Sequence, residues 1–419
     1  MKKKILIHSI VFSPDGVSTA YLYNDIAIGF KEAGFDVVVL TTTPHYNLIE
    51  SELIKQQLQK KRFGLFYTSQ FHGIEVFHVP QKKFKSFGMR ALGFFYWHFL
   101  SFFIGVFLKN ISIIISPSPP LTIGFISWLI AKIKKAKVIY NVQEIYPDLL
   151  INQGSLKSNF LLSILKRLEL FVYNHSNAVV TIDEVFYKTI VGRFENKSKL
   201  YIIPNFVDTA LYNSQVAESI TIDKSIFNDN GELKLMYAGN IGHAQDWKPL
   251  ISIAKQLLDK PISFWVIGEG VVKAQLEIDI KENSLTNIHL LPYQPRENMS
   301  AVNAFADLHF IFMNPELDGQ GFPSKVYNIM ACEKPLLVLS RESTPIINFL
   351  SDKNCSYLVT SVDFNEKISN VILILEKLIT DKMECNNKGE KGRLIIELYY
   401  SKEVVVRKYI SLVNQLLSE

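Results

Sequence analysis

The sequence has 419 residues, of which 48% are hydrophobic and 20% are charged, so it can bury two cores of domain size. Its three cysteines show no paired spacing, which excludes a disulfide-stapled domain and a zinc ribbon and favours a reducing compartment. Residues 1–200 hold 24 Lys and Arg against 13 Asp and Glu, whereas residues 201–419 hold 21 against 27. The basic first half favours an anionic partner. Nucleic acid is the least favoured of these partners, because no basic run is interleaved with base-stacking aromatics.

The chain opens with a basic start and a short apolar run that mimics a signal peptide. The run contains His8 and no small-residue cleavage site follows it, so a first strand over 5–12 is the better interpretation. A helix over 20–33 and a strand over 36–42 complete a β-α-β opening, which predicts a parallel, doubly wound sheet. No G-x-G-x-x-G follows the first strand, so the dinucleotide fingerprint is absent.

Residues 91–108 form an apolar helix without formal charge, preceded by a basic segment. The length is borderline for a membrane span, but strands predicted on both sides belong to one sheet, which argues against crossing. Two interpretations stay open: a helix in the membrane interface, docked on anionic lipid by its basic flank, or a helix packed on the sheet. The basic flank consists of Lys82, Lys83, Lys85 and Arg90.

Polar residues follow the strand predicted over 137–141. Gln143 and Glu144 come after it, at the carboxyl end of a strand, where parallel sheets place their ligands. A solvated loop is the alternative. We place a first domain at 1–204, a linker at 205–231, a second domain at 232–400 and a C-terminal helix at 401–419 that returns to the first domain.

The second domain begins with a strand over 233–238 and a glycine loop ahead of a helix over 248–258. Gly239 and Gly242 let backbone N–H groups approach phosphate oxygens. Asn240, Gln245 and Lys248 are the polar residues of this loop that could contact a phosphorylated ligand.

The most informative stretch is 320–335, which predicts a loop, a short helix and then an apolar strand over 336–339. Pro323 precedes Ser324, a favourable N-cap residue, and Lys325 adds a charge in the first turn. Asn328 lies one turn later on the same face. These residues could hold a diphosphate and a sugar hydroxyl; an ordinary capped helix with a solvent lysine is the alternative.

This stretch resembles the nucleotide-sugar motif of family 4 glycosyltransferases. It keeps Phe322 and the ending Met-Ala-Cys-x-Lys-Pro over 330–335, but Gln320 and Asn328 stand where the family has two glutamates, and Glu333 replaces a glycine. The form Phe-Pro-Ser-Lys-x-Tyr-Asn is similar to a sub-branch that includes fucosamine-transferase-like and colanic-acid fucosyltransferase-like enzymes.

The resemblance implies an α/β GT-B fold, with two Rossmann-like doubly wound domains facing a central cleft. It also implies a retaining hexosyltransferase of surface polysaccharide (O-antigen or capsule) synthesis, which moves sugar from a nucleoside-diphosphate-sugar co-substrate to a lipid-linked oligosaccharide. We expect no cofactor and, since no D-x-D occurs, no metal. We place the protein in the cytoplasm, peripheral on the inner face of the plasma membrane. A GT-B-like nucleotide-sugar 2-epimerase and a non-catalytic lipid- or glycan-binding relative are the alternatives.

The resemblance assigns roles to ten residues. The expected catalytic residues are Gln143, Glu144 and Lys325. The expected donor-binding residues are Gly16, Asn240, Gly242, Gln245, Lys248, Ser324 and Asn328.

Overall fold

The fold was obtained as a computed structural model that describes residues 3–48, 50–81, 87–152, 158–223, 225–228, 230–318 and 322–419. These residues form two compact units. The first unit contains Met1–Asn205 and Glu403–Glu419, and the second contains Phe206–Lys402.

The first unit is built on a nine-stranded sheet with the strand order β3-β4-β5-β2-β1-β6-β7-β8-β9. The strands are β1 Lys4–His8, β2 Asp36–Thr42, β3 Gln59–Lys61, β4 Phe66–Phe71, β5 Ile74–Val79, β6 Ile111–Pro117, β7 Lys137–Val142, β8 Ala178–Thr181 and β9 Leu200–Ile202. All neighbours pair in parallel except at β4, which pairs antiparallel with both β3 and β5. The central strands are almost wholly apolar, as expected where both faces of a parallel sheet are covered.

Eight helices of the described residues belong to this unit. They are α1 Ser18–Glu32, α2 Glu50–Lys55, α3 Phe87–Phe107, α4 Leu121–Lys134, α5 Asp148–Asn152, α6 Asn159–His175, α7 Glu184–Ile190 and the last helix, α16 Lys402–Ser418. α3, α4 and α6 share one core with the sheet. α16 packs against α1 so closely that a methyl group on Gly29 would lie 2.3 Å from Val406.

The second unit has a six-stranded parallel sheet with the order β12-β11-β10-β13-β14-β15. Its strands are β10 Leu233–Ala238, β11 Ile262–Ile267, β12 Ile288–Leu291, β13 Leu308–Phe312, β14 Leu336–Leu339 and β15 Ser356–Val359. Its helices are α8 Ser214–Ser219, α9 Lys248–Gln256, α10 Lys273–Glu282, α11 Met299–Phe305, α12 Lys325–Ala331, α13 Pro345–Leu350, α14 Phe364–Thr380 and α15 Met383–Ile395. A π-helical turn, Ile396–Tyr400, continues α15.

The α/β fold with two Rossmann-like sheets confirms the prediction. β2, β10 and β14 have the predicted bounds. Residues 50–71, for which the sequence indicated no element, contain α2 and the antiparallel strands β3 and β4. The stretch 205–231 is not a bare connection, because it contains α8 and the buried ring of Phe227, and from Phe206 onward it belongs to the second unit.

Within the described ranges, no helix combines the length and the apolar character needed to cross a membrane.

Candidate functional site: two glycine loops and a desolvated lysine

Two loops at the carboxyl edge of the second sheet lie in direct backbone contact. The N–H of Gly239 donates to the carbonyl of Ile267 at 2.8 Å, and the N–H of Ile241 donates to the carbonyl of Glu269 at 2.9 Å. A Cβ on Gly268 would lie 1.9 Å from the Gly239 oxygen. Both Gly239 and Gly268 also have positive φ, at 151° and 156°, so this approach requires glycine at both positions.

Lys325 reaches this loop pair from the start of α12. Its ammonium nitrogen lies 3.6 Å from the centroid of the Tyr237 ring, and a methyl group on Gly239 would lie only 2.4 Å from it. α12 holds the lysine there because Val326 and Met330 are fully buried in the core beneath. The structure therefore brings together Lys325 and the glycine loop, which the sequence assigned to the same ligand.

The Lys325 ammonium is poorly solvated and has no counter-charge among the residues that the structure describes. No carboxylate of the described residues lies within ion-pair distance of it, and burial lowers the pKa of Lys325 to about 7. Tyr237 stays a neutral phenol, because burial raises its pKa, and its hydroxyl donates to the Asn240 carbonyl at 2.7 Å. The ring supplies only a weak cation–π attraction. A cation in these surroundings has a strong preference for an arriving anion.

The polar residues of the glycine loop point in different directions. Asn240 is exposed, and Gly242 is buried, with its carbonyl accepting from the indole N–H of Trp247. Gln245 turns inward, with Nε2 at 3.8 Å from the sulfur of Met313 and no hydrogen-bond partner for its buried Oε1 among the described residues. Lys248 is exposed at the first position of α9.

The start of α12 differs from the expected capped helix. Ser324 occupies the N-cap position, but its side chain accepts no capping hydrogen bond. The N–H of Val326 instead donates to the carbonyl of Pro323 at 3.0 Å, which closes a tighter turn. The prediction of a serine side-chain cap is therefore wrong. Asn328 is half-buried one turn after Lys325, and Gln320 lies outside the described residues.

An ion pair between the buried Asp318 and the exposed Arg341 side chain fixes the segment that precedes this stretch. The fully buried Asp318 accepts from the Arg341 side chain, with Nη2 at 2.5 Å and Nε at 3.1 Å, and from the backbone N–H of Arg341 at 3.1 Å. Arg341 follows β14, so the pair ties the chain before residues 319–321 to the carboxyl edge of the sheet.

In the first unit, Gln143 is held in an amide pair. Its Nε2 donates to Asn141 Oδ1 at 2.8 Å and to Asn205 Oδ1 at 3.0 Å, and its Oε1 accepts from Asn205 Nδ2 at 3.0 Å. Both amide protons and one acceptor position are thus used within the unit. This geometry suits a residue that positions the loop after β7.

Glu144 is half-buried beside Gln143. Its backbone N–H donates to Ser118 Oγ at 3.4 Å, and its carbonyl accepts from the same hydroxyl at 3.1 Å. Burial raises the pKa of the Glu144 carboxyl, and a hydrogen bond from Tyr146 opposes this with a smaller lowering. A desolvated carboxyl group at the carboxyl edge of a sheet is suited to contact a ligand hydroxyl.

The space beside Gly16 is filled by another loop of the same chain. Its N–H donates to the Tyr46 carbonyl at 3.0 Å, and a methyl group on it would lie 2.5 Å from the Asn47 oxygen. Buried Asp15 fastens the same two loops by accepting from the N–H groups of His45 and Tyr46 at 2.7 and 2.8 Å. The close approach that the sequence attributed to a ligand is made here by the chain's own backbone.

Sequence reasoning missed Tyr237 and Asp15. Tyr237 is the next-to-last residue of a strand that runs into a glycine loop, and Asp15 follows the first strand. Carboxyl ends of parallel strands gather at one edge, so these polar residues carried a usable signal. No group of three or more His, Cys, Asp or Glu that could hold a metal occurs in the described part of the chain.

Comparison with known proteins connects this geometry to an enzyme class. Residues 218–393 match the family described as Glycosyl transferases group 1. The chain is 22% identical to WcaI of Escherichia coli (strain K12), named for colanic acid biosynthesis glycosyl transfer, over 78% of this chain and 81% of that protein. It is 21% identical to WbjE of Pseudomonas aeruginosa, named as a glycosyltransferase, over 68% and 69%.

Solved structures share the fold at low sequence identity. Anabaena Alr3699/HepE in complex with UDP superposes with a TM-score of 0.71 and 12% identity, over 98% of this chain and all of that one. Sucrose-phosphate synthase from Thermosynechococcus elongatus gives a TM-score of 0.74 at 12% identity over the whole of both chains. These neighbours are GT-B glycosyltransferases, so the chain has the GT-B fold.

Proposed function

We propose that this chain, which has the GT-B fold and matches glycosyl transferases group 1 over residues 218–393, is a retaining hexosyltransferase of the family 4 type. Within that family we assign it to the fucosamine-transferase-like sub-branch. The donor is a nucleoside-diphosphate sugar. The observation that carries this proposal is the Lys325 ammonium, which lies against Gly239 without a carboxylate partner in the described residues. The structural neighbour Alr3699/HepE was solved in complex with UDP and with UDP-glucose.

Glycosyl transfer places negative charge on the leaving diphosphate, and a positioned cation stabilises that charge. Lys325 supplies the cation, and the glycine loop with Asn240 and Gly242 lets the phosphates approach closely. Gln245 shapes this loop from inside, Lys248 adds positive charge at its rim, and Asn328 and Ser324 contact the sugar or ribose hydroxyls. Because Lys325 carries out the charge neutralisation, transfer should persist in EDTA.

Retention follows if the acceptor oxygen attacks the anomeric carbon on the face from which the diphosphate leaves, while the departing phosphate oxygen takes the proton of the acceptor hydroxyl. No protein nucleophile is then needed. Glu144 orients the acceptor hydroxyl from the first unit, and Gln143 holds the loop of Glu144 in place. Gly16 lets the loop after β1 approach the backbone of Tyr46 and Asn47.

The acceptor we propose is a lipid-linked oligosaccharide of O-antigen or capsule synthesis, used at the inner face of the plasma membrane. Two observations support it. The similar protein WcaI is named for colanic acid biosynthesis, and residues 1–200 hold 24 basic against 13 acidic residues, an excess that suits an anionic membrane.

The test is transfer from a panel of radiolabelled nucleotide sugars to lipid extract, with the anomeric configuration of the product read by NMR. Lys325→Ala should abolish transfer without lowering the thermal unfolding temperature, because the buried charge does not stabilise the fold. Lys281→Ala, on an exposed helix of the second unit, is the matched control. Full transfer by Lys325→Ala would refute the diphosphate assignment. A 2-epimerised nucleotide sugar as the only product would instead identify an epimerase.

A further inference from the structure

The outer face of α3 is a continuous apolar stripe. Its exposed residues recur at intervals of three and four, so they share one side of the helix. Phe95 is 67% exposed and Phe107 is 77% exposed. The full stripe consists of Leu92, Phe95, Tyr96, Phe99, Phe103 and Phe107. Over 15 residues such a stripe runs about 22 Å along the helix.

The opposite side of α3 is anchored in the unit. Trp97 is fully buried and stacks on His8 with ring centroids 5.4 Å apart. His98 Nε2 lies 2.7 Å from the Thr122 hydroxyl of α4. A methyl group on Gly105 would lie 2.5 Å from Ile130. α3 is therefore held as part of the folded unit, and only its outer stripe is available to a partner.

α4 and α6 extend this face. α4 lies beside both α3 and α6, and Trp128 of α4 meets Phe171 of α6 edge to face at 4.8 Å. The exposed apolar residues of α6 include Phe160, which is 77% exposed. The other exposed apolar residues of these two helices are Ile133, Leu161, Ile164 and Leu170.

The sequence segments that form this face are predominantly basic. Residues 76–143 contain nine Lys or Arg and no Asp or Glu. The only acidic residue of α6, Glu169, is buried and paired with Arg193. The exposed basic residues of the described part of this region are Lys109, Lys132, Lys135, Lys166 and Arg167.

We propose that the outward side of α3, α4 and α6, here called the three-helix face, docks on the anionic surface of a lipid bilayer, with α3 lying in the plane of the interface. Exposed aromatic and aliphatic side chains ringed by cations suit the boundary between headgroups and acyl chains. A second copy of the chain fits poorly, because two basic faces repel each other. The three-helix face would hold the enzyme beside the lipid-linked acceptor proposed above, on which this inference rests. It includes α4 and α6 in addition to the apolar helix α3.

Vesicle flotation of the full chain tests the proposal. Phosphatidylcholine vesicles should retain little protein, whereas vesicles that also contain phosphatidylglycerol should retain most of it at low salt and release it as salt is raised. Phe95→Ser with Phe99→Ser should prevent retention. Lys132→Gln, Lys135→Gln and Arg167→Gln together should weaken the apparent affinity about fivefold per charge.

Matched controls lie in the second unit. Leu373→Ser with Leu398→Ser removes two residues of comparable exposure, and Lys281→Gln with Lys391→Gln removes two exposed charges. Both control pairs should float like the unchanged chain, and every variant should keep its UDP-induced thermal shift. A lost thermal shift with retained flotation would count against the donor site alone.

Three outcomes would overturn the docking proposal. They are equal retention on neutral and anionic vesicles, no retention at low salt, and a concentration-dependent dimer in light scattering that the Phe95→Ser, Phe99→Ser chain no longer forms. The last would identify the three-helix face as an interface between copies of this chain.

Discussion

Lys325 shows how a single residue can be prepared for a ligand. Its partners in the described structure are an aromatic ring and a glycine α-carbon, neither of which neutralises the charge. Burial therefore lowers the pKa of Lys325 to about 7 although part of the side chain reaches solvent. The folded chain then binds fewer protons than the unfolded chain between about pH 7 and pH 10.5. The charged lysine therefore lowers the free energy of unfolding by its full amount below about pH 7, and this destabilisation is relieved as the pH rises toward 10.5.

Donor binding should consequently depend on pH. A bound diphosphate favours the charged lysine, so binding above about pH 7 requires proton uptake, and the affinity should fall toward tenfold per pH unit there. The two phosphates of a nucleotide sugar have no protonation step near neutrality, so they add no pH dependence of their own to the affinity. Calorimetric titration of a nucleotide sugar across this range measures the effect.

Lys325→Arg is the informative control, because guanidinium stays charged throughout the range. The variant should bind with an affinity that changes little with pH. An unchanged steep slope in this variant would assign the titration to another group.

Asn328 gives a second prediction for a single residue. The side chain is half-buried one turn after Lys325, and an amide can both donate to and accept from hydroxyls. Asn328→Ala should raise the donor KM more than it lowers kcat, as loss of uniform binding does. Initial-rate kinetics against donor concentration measure both constants. An unchanged KM with a reduced kcat would place Asn328 at the reacting bond instead of the ribose.

Among the elements, the contact between the loops after β10 and β11 is the most constrained. The Gly268 α-carbon faces the Gly239 oxygen so closely that an added Cβ would lie 1.9 Å from it. The two loops can keep their spacing only while both residues remain glycine, and Lys325 rests on Gly239.

Gly268→Ala should therefore separate the loops and weaken donor binding at least tenfold, with a loss of stability of about 1–3 kcal/mol from strain. Isothermal calorimetry and urea unfolding measure the two effects. Gly192→Ala is the control, since nothing within 4 Å would meet its added Cβ and its φ is not positive. Tight donor binding by Gly268→Ala would show that the loop contact is dispensable.

For the molecule as a whole, the C-terminal helix is the element that closes the first unit. α16 follows the second unit in sequence, yet Glu403–Glu419 belongs to the first. It buries six large side chains, namely Val405, Val406, Tyr409, Leu412, Val413 and Leu416.

Deletion of residues 403–419 should unfold the first unit. Full burial of a side chain of this size is worth about 1.5–3 kcal/mol, so six of them together are comparable with the roughly 5–15 kcal/mol that stabilises a domain. Circular dichroism should show loss of part of the cooperative transition. Retention of the full signal and transition would mean that α16 is peripheral to the core. Val405→Ala with Val413→Ala is a milder test, expected to lower stability by about 2–5 kcal/mol.

The sequence alone determined the β-α-β order, the bounds of β2, β10 and β14 and the position of the glycine loop ahead of α9, whereas the first strand, predicted over 5–12, ends at His8. These features depend on local patterns: a run of branched apolar residues fits a strand covered on both faces, and two glycines permit a close backbone approach. It likewise identified Lys325, Gly242 and Asn328 as candidates, because their spacing sets them on one loop and one helix face.

Only the tertiary structure decided which side chains meet. Tyr237 lies under Lys325 because the fold brings the carboxyl end of β10 beside the first residue of α12, and Gln143 is held by Asn205, 62 residues further along the chain. The Ser324 side chain does not cap α12, since the N–H of Val326 donates to the Pro323 carbonyl instead. α3 lies on the sheet with one face outward because Trp97 and His98 find partners inside the unit. Such pairings depend on distances between elements far apart in sequence, which local periodicity does not encode.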